Sequence, residues 1–311
     1  MARVRVPVRA FFKMENEKKS NFGKRFGDFH DKYYKHLLLV PLIILVLGLA
    51  YMGYFYSVNG DFMHRDISLT GGTSFTIQDS IPSEQLKLDL ASQLEEINTR
   101  EIYNLATGQQ EAIVIQTKSP VDLTKQVLED YLGYELNGEN SSIEFTGSTL
   151  SESFFKQLLI AILIAFLFMA IVVFIIFRTA IPSLAIIISA FFDIFMTLLA
   201  VNLLGIKMST AGIVAFLMLI GYSVDTDILL TNRVLKRYGN LNSKLFSAFK
   251  TGITMTLTSA VAVGVALIFA MSFSLVLTQI FTILFIGLVF DLLNTWITNV
   301  SILKWYVIKK N

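Results

Sequence analysis

Two carboxylates interrupt an apolar run that begins at Thr210, passes through Gly221, Tyr222, Ser223 and Val224 to Asp225, Thr226 and Asp227, and continues through Ile228, Leu229 and Leu230. Asp193, between Phe192 and Ile194, and Asp291 stand inside two further apolar runs. An ionised carboxylate at the centre of a bilayer costs about 2.5 to 3.5 kcal/mol on insertion scales, so a chain that keeps four of them needs a use for them. The chemistry open to such groups is proton transfer. No Lys or Arg stands at comparable depth in these runs, and Arg178 and Arg233 fall at their ends, where long side chains reach the headgroups. Charge balance then rests on protonation, water, hydroxyl donors or a base from another subunit.

On a helix Gly221, Asp225 and Asn232 share one face, whereas Ser223, Asp227 and Thr231 share another, because two residues turn the helix by about 200°. The two acids cannot serve one partner without a break in the helix. Either this span meets protein on two sides, or one acid is capped locally by Ser223 or Thr231. Thr251, Thr254 and Thr258 recur at helical spacing in the following apolar run, and Asp291, Asn294, Thr295 and Thr298 in the last. Both stripes are expected to point inward. A proton relay through Asp193, Asp225, Asp227 and Asp291 is one reading of these groups, and interhelical hydrogen bonding without proton traffic is the other. At 1.5 Å of rise per residue, Asp193 and Asp291 fall near mid-membrane and Asp225 somewhat toward the cytoplasm, so a water-filled route could join them.

The elements that carry these residues are membrane spans. Of 311 residues 54% are hydrophobic and 16% charged, and the mean hydropathy is +0.60, outside the range of an ordinary soluble domain. A span needs about 20 mostly apolar residues, and stretches near 37–57, 155–177, 181–203, 209–232, 251–271 and 276–303 qualify. Ten Lys and Arg precede residue 37, and five lie between the fourth and fifth spans, at Arg233, Lys236, Arg237, Lys244 and Lys250. Positive charge accumulates on the cytoplasmic side, and six spans put both groups there. The tail 1–36 and the end 304–311 are therefore expected in the cytoplasm of a multi-pass plasma-membrane protein. The first apolar run lacks a small-residue cleavage pattern and reads as an uncleaved anchor. Without cysteine, and with histidine only at 30, 36 and 64, neither a metal site nor a cofactor is expected, and no enzymatic nucleophile stands out.

Residues 58–154 are then external. From 58 to 156 there are sixteen acids against six bases, the wrong sign for a nucleic-acid partner. Residues 73–78 alternate as a strand. Residues 82–97 carry Leu86, Leu90, Leu94 and Ile97 at helical spacing, with Ser83 as a cap. Residues 101–106 and 111–117 form a hairpin about a turn at 107–110, 120–132 a second helix, and 142–146 a last strand. The order βαββαβ predicts a ferredoxin-like α+β domain, so the whole chain is expected to be an α-helical polytopic membrane protein of six transmembrane helices with this domain between the first two. Gly71-Gly72-Thr73 is not a phosphate loop; a tight turn before the first strand is expected. Residues 234–250, with apolar positions among bases, fit either an interfacial amphipathic helix or a basic loop.

Several of these residues resemble the SecF branch of the SecD/SecF family, within the resistance-nodulation-division superfamily. They are residues 66–77 with Gly71-Gly72-Thr73, the lead Phe145-Thr146-Gly147-Ser148 into the second span, the Asp193 span, and Gly221-Tyr222-Ser223 followed by acids and Arg233. The single aspartate of the bacterial pattern would fall on Thr226; here Asp225 and Asp227 flank it, with Asp225 in register with the SecD motif, a variation that suggests an archaeal member. The resemblance implies partnership with SecD, association with the SecY channel, and help in drawing exported unfolded polypeptides across the membrane late in export on the proton motive force. Absence of a nucleotide-binding motif agrees with an ion gradient as the source of work. The rival readings are a stand-alone exporter of small molecules or lipid, and a scaffold that moves no protons. An intramembrane aspartyl protease would need Gly-x-Gly-Asp where this chain has Tyr222-Ser223-Val224-Asp225, and a Pro-Ala-Leu element that is absent.

Overall fold

The computed structural model describes Gly27 and residues 30–104, 106–236, 240–272 and 274–310; most of the basic tail and Arg237 lie outside the described residues. Among the described residues six helices are long and apolar enough to cross a membrane. The first is helical from His30, is interrupted at Leu38, and resumes as α1, Leu39–Asn59. Pro41 explains the interruption, because it has no amide to give the carbonyl four residues back.

An α/β domain follows: a short α2 (Ile67–Thr70), β1 (Gly72–Ile77), α3 (Ser83–Leu90), β2 (Asn98–Tyr103), β3 (Gln110–Thr117), α4 (Val121–Leu132) and β4 (Ser141–Thr146). The strands lie in the order β2-β3-β1-β4, each antiparallel to its neighbour, which is the βαββαβ arrangement expected from the pattern. Phe75, Ile77, Ile113 and Ile115 alternate onto one face and are buried against Leu86, Leu90, Val127 and Leu128 of the two helices. The helix expected over 82–97 stops at Leu90, although Leu94 and Ile97 still reach the core. The end of β3 captures the chain there. The Glu95 carbonyl accepts from the Lys118 amide at 3.0 Å and from the Thr117 hydroxyl at 2.6 Å, and the next residue, Glu96, turns to φ 49°. Ser83 does not cap α3; its amide instead donates to Glu101 of β2 at 2.8 Å.

Gly71 and Gly72 form the turn expected before β1, with φ of 84° and 147°. Their role extends beyond the turn. A side chain on Gly71 would strike the Ser148 backbone, and a Cβ on Gly72 would stand 2.5 Å from the Thr117 carbonyl. Sheet, turn and the start of the second span converge here, which requires glycine. Gly72→Ala should therefore lower stability by about 1–3 kcal/mol or more, from strain at positive φ together with the clash; a melting temperature equal to that of wild type in detergent would contradict this.

The bundle continues as α5 (Ser148–Phe177), α6 (Ala180–Leu203), α7 (Thr210–Lys236), α8 (Leu241–Ala270) and α9 (Leu275–Asn294), which passes through a π-helical turn (Thr295–Asn299) into α10 (Val300–Lys310). α6 and α7 are central, with half or more of their apolar stretch buried, whereas α1, α5 and α8 turn most of theirs outward. Apolar side chains are at ease in lipid, so outward faces need no further cover. Two expectations change. The described part of residues 234–250 is mostly packed helix: α7 runs on to Lys236 and α8 begins at Leu241, capped by Asn240, with Leu245 and Ala248 packed against Leu230, Val234 and Leu303. Lys304, the first residue of the end expected beyond the last span, is fully buried in a helix that continues to Lys310.

Candidate functional site

Three of the four acids meet inside the bundle, and each comes from a different helix. Asp193 on α6, Asp227 on α7 and Asp291 on α9 are all fully buried. Asp193 accepts hydrogen bonds from the Ser223 hydroxyl at 2.5 Å and from the Asn294 amide at 2.7 Å. It thus ties α6 to both neighbours. Asp227 accepts from the Asn299 amide at 2.7 Å, while Ser189 and Thr295 lie beside its carboxylate. Asp291 accepts from Thr295 at 3.3 Å and, at 3.5 Å, from Thr256 of α8, whose hydroxyl also meets Thr226 at 3.5 Å. Asn294, Thr295 and Asn299, which bond Asp193, Asp291 and Asp227 in turn, follow closely along α9 and its π turn. Among the described residues none of them is in an ion pair.

The donors around the acids are amides and hydroxyls, which can bond either protonation state of a carboxyl group. Asn299 Oδ1 and the Thr231 hydroxyl are buried without a hydrogen-bond partner among the described residues. The π turn is part of the same construction. Single π turns are rare and concentrate at functional sites, and this one supplies Thr295 to Asp291 and Asn299 to Asp227.

The fourth acid stands apart. Asp225 faces outward on α7, together with Gly221, Tyr222 and Asn232, so the two faces inferred from the helical wheel are both present and only the Ser223–Asp227–Thr231 face enters the cluster. The local cap that was one of the two alternatives does not form on Asp227: Ser223 serves Asp193, and the Thr231 hydroxyl is unbonded. The threonine stripe of α8 does not point inward as expected. Thr254 and Thr258 are exposed, each bonding a carbonyl four residues back at 2.8 Å, while Thr251 does the same with Ser247 at 3.3 Å. That bond satisfies the hydroxyl in lipid and removes the need for burial. Thr256, two residues along, faces the acids instead. Arg233 donates to the Ser247 carbonyl at 2.5 Å and hydroxyl at 2.9 Å, holding α7 to α8. Gly71, Gly72 and Thr73 lie at the root of the sheet, where the Thr73 hydroxyl donates to the Ser119 carbonyl at 2.8 Å. Asn299 was the partner that sequence periodicity concealed. Eight residues from Asp291 is about 80° off its face on a regular helix, and the extra residue of a π turn brings it back.

Six candidate spans, a ferredoxin-like domain between the first two, and carboxylates enclosed by the central helices define a polytopic membrane protein. Residues 127–309 match the family model for the protein export membrane protein SecD/SecF C-terminal region. The protein-export membrane protein SecF of Methanocaldococcus jannaschii is 40% identical over 89% of this chain and 96% of its own, and that of Haloferax volcanii is 36% identical over 88% and 92%. The crystal structure of SecDF, a translocon-associated membrane protein from Thermus thermophilus, has the same fold with a TM-score of 0.71 at 18% identity, over 89% of this chain. This chain spans 38% of that protein's length. The chain belongs to the SecD/SecF family of protein-export membrane proteins, and its SecF relatives are archaeal.

Proposed function

We propose that this chain is the SecF-type half of a two-subunit accessory motor, that it pairs with a SecD-type subunit beside a SecY-type channel, and that it assists export of unfolded polypeptides by passing protons through Asp193, Asp227 and Asp291. The observation that carries this reading is three enclosed carboxylates on three helices, held by neutral donors and by no base among the described residues. Fixed structural carboxylates would be expected to sit in ion pairs, as Asp31 does with Lys304. In this account the tail and the C-terminal end lie in the cytoplasm, the domain of residues 58–154 lies outside, and the protein catalyses no covalent chemistry. In vesicles holding the chain, its SecD-type partner and the channel, an ionophore should return export to the rate measured without the pair. Export insensitive to the ionophore would favour a scaffold.

The outward face of α7 is the surface we assign to the SecD-type partner. It presents Asp225, Tyr222 and Asn232, polar groups on a helix of membrane-spanning length. A carboxylate facing lipid is costly, so a partner helix that supplies a donor or a base is the economical cover. A side chain on Gly221 would meet nothing of this chain within 4 Å. Gly221→Trp should therefore leave folding and insertion intact and reduce co-purification of the partner; undiminished recovery of the pair would remove the assignment.

A further inference from the structure

The segment that follows α1 joins the carboxylate helices to the α/β domain, and the bonds form one chain. Residues 64–68 lie along the loop between α6 and α7. The Asp66 amide donates to the Met208 carbonyl at 2.8 Å and the Met208 amide to the His64 carbonyl at 2.6 Å, while the Thr210 amide, at the first residue of α7, donates to the Ser68 hydroxyl at 3.2 Å. Gln279 of α9 reaches the same loop, bonding the Lys207 carbonyl and the Ser209 hydroxyl. The ends of α6, α7 and α9 nearest the domain, each the end of a helix that bears one enclosed acid, are therefore held at one place. Leu69, fully buried, packs there with Val201, Met208, Ile213 and Ile283 from the same helices and their connection.

From this place the Asp66 side chain leads to the sheet. The Asp66 carboxylate accepts the Ser68 amide at 3.2 Å, closing the cap of α2, and also accepts the Gln116 side-chain amide of β3 at 3.3 Å. Gly71 and Gly72 bring the next residues against Ser148 and Thr117, where only glycine fits. Asp66 thus contacts the membrane helices through its backbone and the outer sheet through its carboxylate.

We infer that residues 64–72 are a rigid coupling joint, and that Asp66 is a positioning residue which carries displacement of the acid-bearing helices to the α/β domain. This rests on the proton-driven reading above and names the part of the molecule through which that reading becomes motion. Coupling needs a contiguous element that both sites bias, and the loop at 207–210 with residues 64–72 provides one. The joint does no proton chemistry of its own.

The test uses the chain with its SecD-type partner in vesicles, with spin labels at Leu88→Cys on the domain and Val261→Cys on α8, outside the joint. Both positions are exposed, and the sequence has no other cysteine. In the wild-type background, imposing a proton gradient should shift the distance between labels. Asp66→Ala should remove most of that shift and lower gradient-driven export about two- to thirty-fold, the range over which substitutions along a coupling network act. Asp66→Asn should restore both, because its amide oxygen still accepts from Ser68 and Gln116. Gln116→Met, which cuts only the sheet side, should behave as Asp66→Ala does and serves if that variant does not fold. A full shift in Asp66→Ala or Gln116→Met would overturn the joint and leave the proton-driven reading standing. No shift in the wild type would overturn both.

Discussion

Asp227→Asn and Asp193→Asn should each abolish the gradient-driven part of export in reconstituted vesicles while the variants fold and insert as the wild type does. Asparagine has the shape of aspartate, and at residue 227 its oxygen can still accept the Asn299 amide that now lies 2.7 Å from the carboxylate. What it cannot do is bind and release a proton. Moving one charge through 100 mV is worth about 2.3 kcal/mol, which corresponds to about fifty-fold in rate when all of it lowers a barrier. That is the upper bound on the loss per 100 mV for one proton per cycle. Asp225→Asn should cost far less in a correctly assembled pair, because Asp225 lies outside the enclosed cluster. Comparing the three single variants in the same vesicles checks the assignment. A larger loss for Asp225→Asn than for Asp227→Asn would move the proton pathway to the partner-facing side of α7.

The second large effect is on stability. Lys304 is fully buried where α10 meets the segment before α1, and its ammonium pairs with Asp31 at 2.5 Å while also donating to Asn242 at 3.3 Å and to the Gly27 carbonyl at 3.5 Å. Asn242 in turn donates to Asp31 at 2.7 Å, and the neighbouring His30 ring lies 3.2 Å from the Trp296 carbonyl in the π turn. First helix, α8 and last helix are thereby fastened together at the end opposite the α/β domain. Removing one member of a buried ion pair costs about 3–5 kcal/mol because the other charge is left behind. Asp31→Ala belongs at or below the lower end, about 3 kcal/mol, since half of the Asp31 side chain faces solvent and water can take over part of its role. Replacing both members with apolar groups is close to neutral in many proteins, so Asp31→Ala with Lys304→Met should recover most of the loss. A double-mutant cycle in detergent measures this; equal stability of Asp31→Ala and wild type would show that the pair contributes nothing.

Much of this architecture was legible in the sequence, and the reasons are physical. Long apolar runs announce spans because lipid imposes their length, and strand alternation around Phe75 and Ile113 announced the sheet because one face must meet a core. The helical wheel separated Asp225 from Asp227 because both lie in one regular helix. Where a polar group could satisfy itself, the pattern misled: the hydroxyls of Thr254 and Thr258 bond their own helix, so a stripe that looked inward faces outward. Helix ends were misread for a related reason. The bases of 234–250 suggested a separate surface segment, yet Leu245 and Ala248 pack with Leu230 and Val234, and the packing extends both helices. Asn299 was hidden by the π turn, which breaks the periodicity on which its identification would depend. Lys304 looked like a charge beyond the last span, and the Asp31 that buries it lies 273 residues earlier.

The central claim, that the enclosed carboxyl groups exchange protons, is tested most directly by infrared difference spectroscopy of the purified pair across the range from about pH 5 to 9. The account predicts a protonated-carboxyl band that changes with pH in the wild type and loses a component in Asp193→Asn and in Asp227→Asn. A carboxyl spectrum that is constant over that range, or that changes identically in the wild type and both variants, would contradict it.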